Sequence, residues 1–160
     1  MRKARDLMGI PILVSGSGER LGEIQDLSFD PVGMVVTGFL LAKGNWLHPA
    51  KQVSMGALEK VETDAVKVHK SIDACAPGLH YVSELTGKKV ITLQGKELGS
   101  VQDVVLDDCC RQVIGYEISD GFINDLVSGR AIVHRPSVLS QTDYCLVVED
   151  KLENIWEIRT

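Results

Sequence analysis

An internal repeat constrains this chain more than any other feature. When the sequence is shifted by 77 positions, nine residues are identical within 27 aligned positions. Average composition would give about two such matches by chance. The identical pairs are Gly18/Gly95, Leu21/Leu98, Gly22/Gly99, Gln25/Gln102, Asp26/Asp103, Asp30/Asp107, Val36/Val113, Gly38/Gly115 and Gly44/Gly121. The sequence therefore predicts two copies of one structural unit.

The repeat also predicts the domain organisation. The first copy covers residues 1–72 and the second covers residues 79–150. A turn-rich connector, residues 73–78, joins the copies, and residues 151–160 form a C-terminal tail. Units of this size bury only about 60% of the surface that the unfolded chain exposes. We therefore expect the two copies to pack together with pseudo-twofold symmetry.

Each copy is predicted to consist of short β-strands. β-Branched residues are dense, glycine turns recur, and no segment sustains a helical period. The predicted strands are 11–15, 20–30, 34–41, 52–55, 57–61 and 65–69 in the first copy, and 89–93, 97–107, 111–119, 131–134, 138–140 and 144–149 in the second. The apolar residues of the second strand change parity at residues 25–26 and again at 102–103, which predicts a β-bulge and a curved, barrel-like sheet. Gly22 and Gly99 are expected at tight bends.

The repeated motif resembles the PRC-barrel family in both copies. It reads Leu-Gly-Glu-Ile-Gln-Asp at 21–26 and Leu-Gly-Ser-Val-Gln-Asp at 98–103, and Gly-Phe or Gly-Tyr follows at Gly38 and Gly115. The resemblance implies an all-β fold of two tandem small antiparallel β-barrels, and it implies docking to other proteins. The family also occurs in the photosynthetic reaction centre H subunit and in a ribosome maturation factor. Neither a transmembrane helix nor a separate N-terminal domain is visible here, so those roles do not transfer directly.

Charge and hydropathy limit the classes of partner and the location. The net charge is −5 and the isoelectric point is near 5.3. Nucleic-acid affinity depends mainly on Lys and Arg, so we expect no nucleic-acid partner except through ribosomal particles. The N-terminus lacks the apolar core of a signal peptide, and the best apolar run, 32–42, is about half the length that spans a bilayer. We expect a cytoplasmic protein with reduced thiols and no membrane insertion.

Four aspartates form the clearest acidic pairs. Asp26 and Asp103 occupy equivalent positions, as do Asp30 and Asp107. Such carboxylates could serve acid–base catalysis or bind a divalent cation, provided that they converge in one cleft. The alternative is structural: Asp30 and Asp107 begin hairpin turns, and the other two accompany the bulges. We favour the structural role and expect no catalytic residues.

Histidines and cysteines offer a second chemistry. His48 and His134 lie at roughly corresponding positions, but no pair of histidines has the close spacing of a metal site. We therefore expect no metal and no cofactor. Cys109 and Cys110 lie in a predicted turn, where accessible thiols could act in redox or metal sensing, although neighbouring carboxylates disfavour the thiolate.

One strand of the first copy is apolar on both faces. Met34, Val36 and Leu40 lie on the face opposite the predicted core, where the second copy has a less apolar set. Such a strand is normally covered on both sides, either by the sister repeat or by another chain. Trp46 in a loop and Trp156 in the tail extend the candidate interaction surface, since Trp is frequent at interfaces. Docking of the tail within the chain is the favoured outcome.

The leading functional prediction is a non-catalytic protein-interaction or adapter module in the cytoplasm. No cluster of catalytic residues stands out, whereas the two-faced strand and the tryptophans suggest a binding surface. The partner is expected to be a protein, and a second copy of the chain is one candidate. Two alternatives remain open: an RNA-processing or ribosome-assembly factor, supported by Lys88, Lys89 and the basic residues within 130–135, and a thiol sensor at Cys109–Cys110.

Overall fold

The structure is a computed structural model that describes residues 1–42, 47, 50–69, 73–74, 79–119, 131–150 and 155–157. Within these residues the chain is all-β, which confirms the predicted class. Its helical segments are short 3-10 turns, Ala4–Leu7, Met55–Ala57, Val82–Glu84 and Arg135–Ser137. No helix in this part of the chain has the length and hydropathy needed to cross a membrane.

The chain divides by internal contacts into two compact units. The first comprises residues 1–83 together with 106–113, and the second comprises residues 84–105 together with 114–160. The predicted copies, 1–72 and 79–150, are defined by sequence similarity and not by contacts. They stay a prediction.

The first unit contains two sheets. Its strands are β1 (Arg2–Lys3), β2 (Pro11–Val14), β3 (Arg20–Glu23), β4 (Asp26–Asp30), β5 (Val35–Ala42), β6 (Lys51–Ser54), β7 (Leu58–Val61), β8 (Val66–Val68), β9 (Asp73–Ala74) and β10 (His80–Tyr81). The sheet orders are β3-β2-β8-β7 and β10-β4-β5-β6-β9, and β1 belongs to neither of these sheets.

Two segments from beyond the predicted connector complete the first unit. Strand β10 pairs antiparallel with β4. The segment 106–113 is hydrogen-bonded beside the start of β5. The Val36 N–H donates to the Arg111 carbonyl at 2.8 Å, and the Val113 N–H donates to the Met34 carbonyl at 3.0 Å. The outer edge of β4 and the first residues of β5 are therefore covered by backbone from later in the sequence, which satisfies hydrogen-bonding groups that would otherwise need water.

The strands of the second unit follow one path. They are β11 (Lys89–Thr92), β12 (Glu97–Leu106), β13 (Val113–Ile118), β14 (Ala131–His134), β15 (Val138–Gln141), β16 (Cys145–Val148) and β17 (Ile155–Glu157), of which Leu106 and Val113 belong to the first unit. Their order is β15-β16-β11-β12-β13-β14-β17. The predicted intramolecular docking of the tail agrees with β17, which pairs antiparallel with β14.

The two tandem small antiparallel β-barrels stay a prediction, since no closed barrel is found among the described residues. The strand pairing there is also not purely antiparallel. The pairs β2–β8 and β11–β16 are parallel. Parallel pairing requires the chain to travel away and return before it pairs, and the strands between β2 and β8 form that excursion. A local strand pattern does not reveal which distant strands meet, so the sequence predicted the strands but not their direction.

The β-bulges lie at a different place from the one that the sequence predicts. In the first unit the strand is interrupted between Glu23 and Asp26, where a continuous strand was predicted. The bulges on β3 and β12 lie upstream, at Leu21 and Leu98. Each bulge adjoins a glycine, and Gly22 and Gly99 adopt φ angles of +153° and +143°, a region that L-residues rarely occupy.

A close backbone approach explains two further repeated glycines. A Cβ atom at Gly38 would lie 2.7 Å from the Val53 carbonyl oxygen, and one at Gly115 would lie 2.8 Å from the Val133 carbonyl oxygen. In each case the obstacle is backbone of the neighbouring strand, which cannot rotate away. Glycine is thus required where β5 meets β6 and where β13 meets β14.

We predict that Gly38→Ala and Gly115→Ala each lower the free energy of unfolding by about 1–3 kcal/mol, because the added methyl group overpacks a strand pair. Urea denaturation followed by circular dichroism measures the change. Gly56→Ala is the matched control, since a Cβ there meets nothing closer than 3.4 Å. Equal stability of Gly38→Ala and Gly56→Ala would contradict the steric argument.

Candidate interaction surface

One sheet region is built the same way in both units. Strands β7, β8 and β2 pair in the same register as β15, β16 and β11. The aligned triplets are Lys60–Lys67–Leu13 in the first unit and Ser140–Val147–Ile91 in the second. Neighbouring residues on these strands, such as Val66 and Leu146, are buried. Because side chains alternate along a strand, the triplets lie on the outward face.

In the first unit this outward face is charged. The Lys67 and Lys60 ammonium groups lie 3.1 and 3.2 Å from the Glu62 carboxylate. The hydrogen bond from Lys67, followed by that from Lys60, holds the pKa of Glu62 below its ordinary value. Glu59 accepts a hydrogen bond from the Ser15 hydroxyl. A shallow cavity of about 260 Å³ lies between the Ser15 turn, Glu59 and Lys67.

In the second unit Leu139 and Val147 replace Glu59 and Lys67, whereas Ser140 replaces Lys60 and Ile91 replaces the already apolar Leu13. Leu139 is bulged out of strand β15, as Glu59 is bulged out of β7. Leu93 follows β11 and donates its N–H to the Val148 carbonyl at 3.1 Å. Leu93 is 63% exposed and Leu139 is 47% exposed, whereas Ile91 and Val147 are half-buried. We call Ile91, Leu93, Leu139 and Val147 the apolar patch.

The aspartates have structural roles. Asp30 accepts hydrogen bonds from the N–H groups of the turn that follows it, at residues 32 and 33, both at 3.1 Å. Asp107 does the same at residues 111 and 112, at 2.6 and 3.1 Å. Their predicted function in initiating hairpin turns is confirmed.

Asp26 and Asp103 are buried, with exposures of 3% and 5%. Each carboxylate accepts a hydrogen bond from the next N–H along the chain, at 2.8 Å. Asp26 also accepts from the Ser83 N–H at 3.2 Å and from the Ser83 hydroxyl. Asp26 therefore ties the start of β4 to the segment that follows β10.

The histidines are dispersed. His48 lies outside the described residues. The Nδ1 atom of His69 lies 3.7 Å from the Glu59 carboxylate, His80 stacks at a tilt against Phe29, and His134 ends β14. Over the described ranges, no three His, Cys, Asp or Glu side chains come together in a group that could hold a metal ion.

The vicinal cysteines occupy opposite environments. Cys109 is exposed, but Cys110 is buried and adopts a φ angle of +57°. Burial raises the pKa of the Cys110 thiol to about 11, an effect that Arg2 opposes and Asp107 reinforces. The expectation of two accessible thiols is therefore wrong for Cys110, because the turn directs one side chain inward. Cys75 lies outside the described residues.

The structure places the predicted interaction residues in different settings. Met34, Val36 and Leu40 are all buried, and Val36 is bonded to segment 106–113. This burial agrees with cover of the strand by the chain itself and not by another chain, which were the two outcomes considered. Trp46 lies outside the described residues. Trp156 pairs with Ile132 in the β17–β14 ladder, and its side chain is outside the described part.

Sequence reasoning missed the apolar patch. In the sequence Asp64–Val68 resembles Asp143–Val147, which would place Val66 level with Cys145, whereas the strand pairing places Val66 level with Leu146. This shift of one residue exchanges the inward and outward positions of β16. With the correct register, the replacement of Lys67 by Val147 would have been visible in the sequence.

We predict that Asp26→Ala lowers the free energy of unfolding by about 2–3 kcal/mol, because it leaves buried donors of Ser83 and Leu27 without an acceptor. Ser83→Ala should cost only about 1 kcal/mol, since it removes a single donor. Thermal and urea denaturation of both variants and of the double variant measure the coupling. A loss for Asp26→Ala no greater than that for Ser83→Ala would contradict this assignment.

We also predict that stability falls as the pH rises from 9 to 11. Burial raises the pKa of Cys110 from its ordinary 9.0 to about 11, so the unfolded chain releases this proton first and is favoured in that range. The buried Tyr116, whose pKa rises from 10.0 to about 12, extends the loss to higher pH. Cys110→Ala should flatten the decline of the urea midpoint between pH 9 and 11, whereas Cys109→Ala should not. Identical profiles for the two variants would refute the role of burial.

Comparisons with known proteins agree with part of this picture. Residues 77–153 match the family model of the PRC-barrel domain. The chain is also similar to the "Uncharacterized protein YrrD" of Bacillus subtilis (strain 168), with 24% identity over 143 residues that cover 87% of this chain and 82% of that protein. The family resemblance of the second copy is confirmed, and that of the first copy stays a prediction. Over residues 77–153, this chain is therefore similar to the PRC-barrel domain.

Proposed function

We propose that this chain is a non-catalytic adapter in the cytoplasm that binds a protein partner through the apolar patch. The patch is the observation that carries the proposal. Four aliphatic side chains face outward on three adjacent strands, where the corresponding strands of the first unit present Glu59, Lys60 and Lys67. Clustered exposed aliphatic residues are typical of binding sites rather than of free surface.

We further propose that the adapter consists of two PRC-like halves that arose by duplication. Three shared features support this. The parallel pairs β2–β8 and β11–β16 have matching registers, β7 and β15 carry a bulge at the same position, and Asp26 and Asp103 accept the same local hydrogen bond. The short strands β9 and β17 also pair with equivalent partners, β6 and β14.

The chemistry of the surface favours a protein over the alternatives. A net charge of −5 opposes a phosphate-binding face, and the patch itself contains no cation. Burial of Cys110 and its raised pKa weigh against a sensor that needs two reactive thiols. An uncharged aliphatic surface instead suits the core of a protein interface.

The experiment is an affinity capture with the tagged full-length chain in extract of its native cells. The double variant Leu93→Asp/Leu139→Asp is expected to lose a captured protein by at least tenfold, because charged groups replace the centre of the surface. Val32→Asp is the matched control, since Val32 is 87% exposed and lies outside the patch.

Thermal unfolding of each variant shows that the fold is intact. Recovery of the same proteins by wild type and the double variant would refute the patch as a binding surface. Equal loss with Val32→Asp would show a general effect of added charge and would also refute it.

A further inference from the structure

We propose that the occupant of the apolar patch is a second copy of this chain, packed patch against patch across a twofold axis. This inference rests on the proposed function, because it assigns a partner to the same surface.

The geometry of the patch suits the packing of one sheet on another. Ile91, Val147 and Leu139 lie on the three neighbouring strands β11, β16 and β15, whose outer two are separated by about 10 Å. Leu93 extends the row beyond the end of β11. Two such faces can interdigitate their side chains at the usual inter-sheet spacing of about 10 Å.

The absence of charge in the patch permits a second copy as its occupant. A twofold axis brings side chains close to their own copies, so a charged face repels itself while an uncharged one does not. None of the four patch residues is charged. At the margin, the Lys89 ammonium lies 3.2 Å from the Glu97 carboxylate, and the two charges offset each other. The Asp150 carboxylate, which accepts a hydrogen bond from the Gln94 N–H at 3.3 Å, is a third charged group at the margin. Within the patch itself, a strongly acidic or basic partner would find no complementary charge.

The adjacent edge strand gives a second argument. Within the described residues, β15 is paired on one side only, with β16. Its residues Val138–Gln141 include no charge, whereas the equivalent β7 carries Glu59 and Lys60. Charged side chains on an edge strand discourage pairing with other chains. Their absence on β15 is consistent with an edge that lies inside a dimer.

The size of the patch sets the expected affinity of the dimer. A contact built on four aliphatic side chains from each copy is small, and it falls in the class below about 1,200 Å² of total buried surface, where transient complexes lie. Interfaces of that size are weak and reversible. We therefore expect a dissociation constant in the micromolar range.

Sedimentation equilibrium of the purified full-length chain tests the inference. The average mass is expected to rise with concentration from 17.5 kDa towards twice that value. Leu93→Lys/Leu139→Lys should weaken the association at least tenfold, and Val32→Lys should leave it unchanged. If the double lysine variant does not fold, Leu93→Thr/Leu139→Ser provides the milder test with the same expected direction.

A chain that stays monomeric up to millimolar concentration would overturn the inference, as would a dimer that the patch variants leave intact. If a monomeric chain still captures another protein through the patch, this inference fails while the proposed function stands. If patch variants change neither self-association nor capture, both fail.

Discussion

The parallel pairing of β2 with β8, and of β11 with β16, is the interaction on which the described sheets depend. Residues more than 50 positions apart must meet, so the loop-closure entropy is large and must be offset by burial along the joined strands. Ile12, Val66, Val90 and Leu146 supply that burial. Once these pairs form, side-chain alternation fixes which residues face outward. The charged face of the first unit and the apolar patch of the second are both consequences of this register.

The sequence was informative where the cause was local. β-Branched runs between glycines predicted β2 to β8 and β11 to β16 but not the short strands β1, β9, β10 and β17. Asp30 and Asp107 were recognised as turn residues because an aspartate bonds to N–H groups a few residues away. Strand direction was not predictable in this way, since it depends on contacts between distant segments. The patch was missed for a related reason: one inserted residue shifted the alignment, and a shift of one residue in a strand exchanges its two faces.

A comparison of the two units shows which residue positions the fold constrains and which positions it does not. Gly38 and Gly115 face a carbonyl oxygen within 3 Å, and Asp26 and Asp103 satisfy buried N–H groups, so these positions tolerate few alternatives. The outward positions of the strands carry no such demand. Lys67 and Val147 therefore differ in chemistry although they share a place in the ladder. Function is expected to diverge at positions of this second kind.

The completion of the first unit by residues 80–83 and 106–113 has a consequence for synthesis in the cell. A ribosome delivers the chain from its N-terminus at about 5–20 residues per second. The first half therefore emerges while the backbone that covers β4 and β5 has not yet been translated. For several seconds the outer edge of β4 and the first residues of β5 stay open. The first unit can be completed only after residues 84–105 of the second unit have been translated.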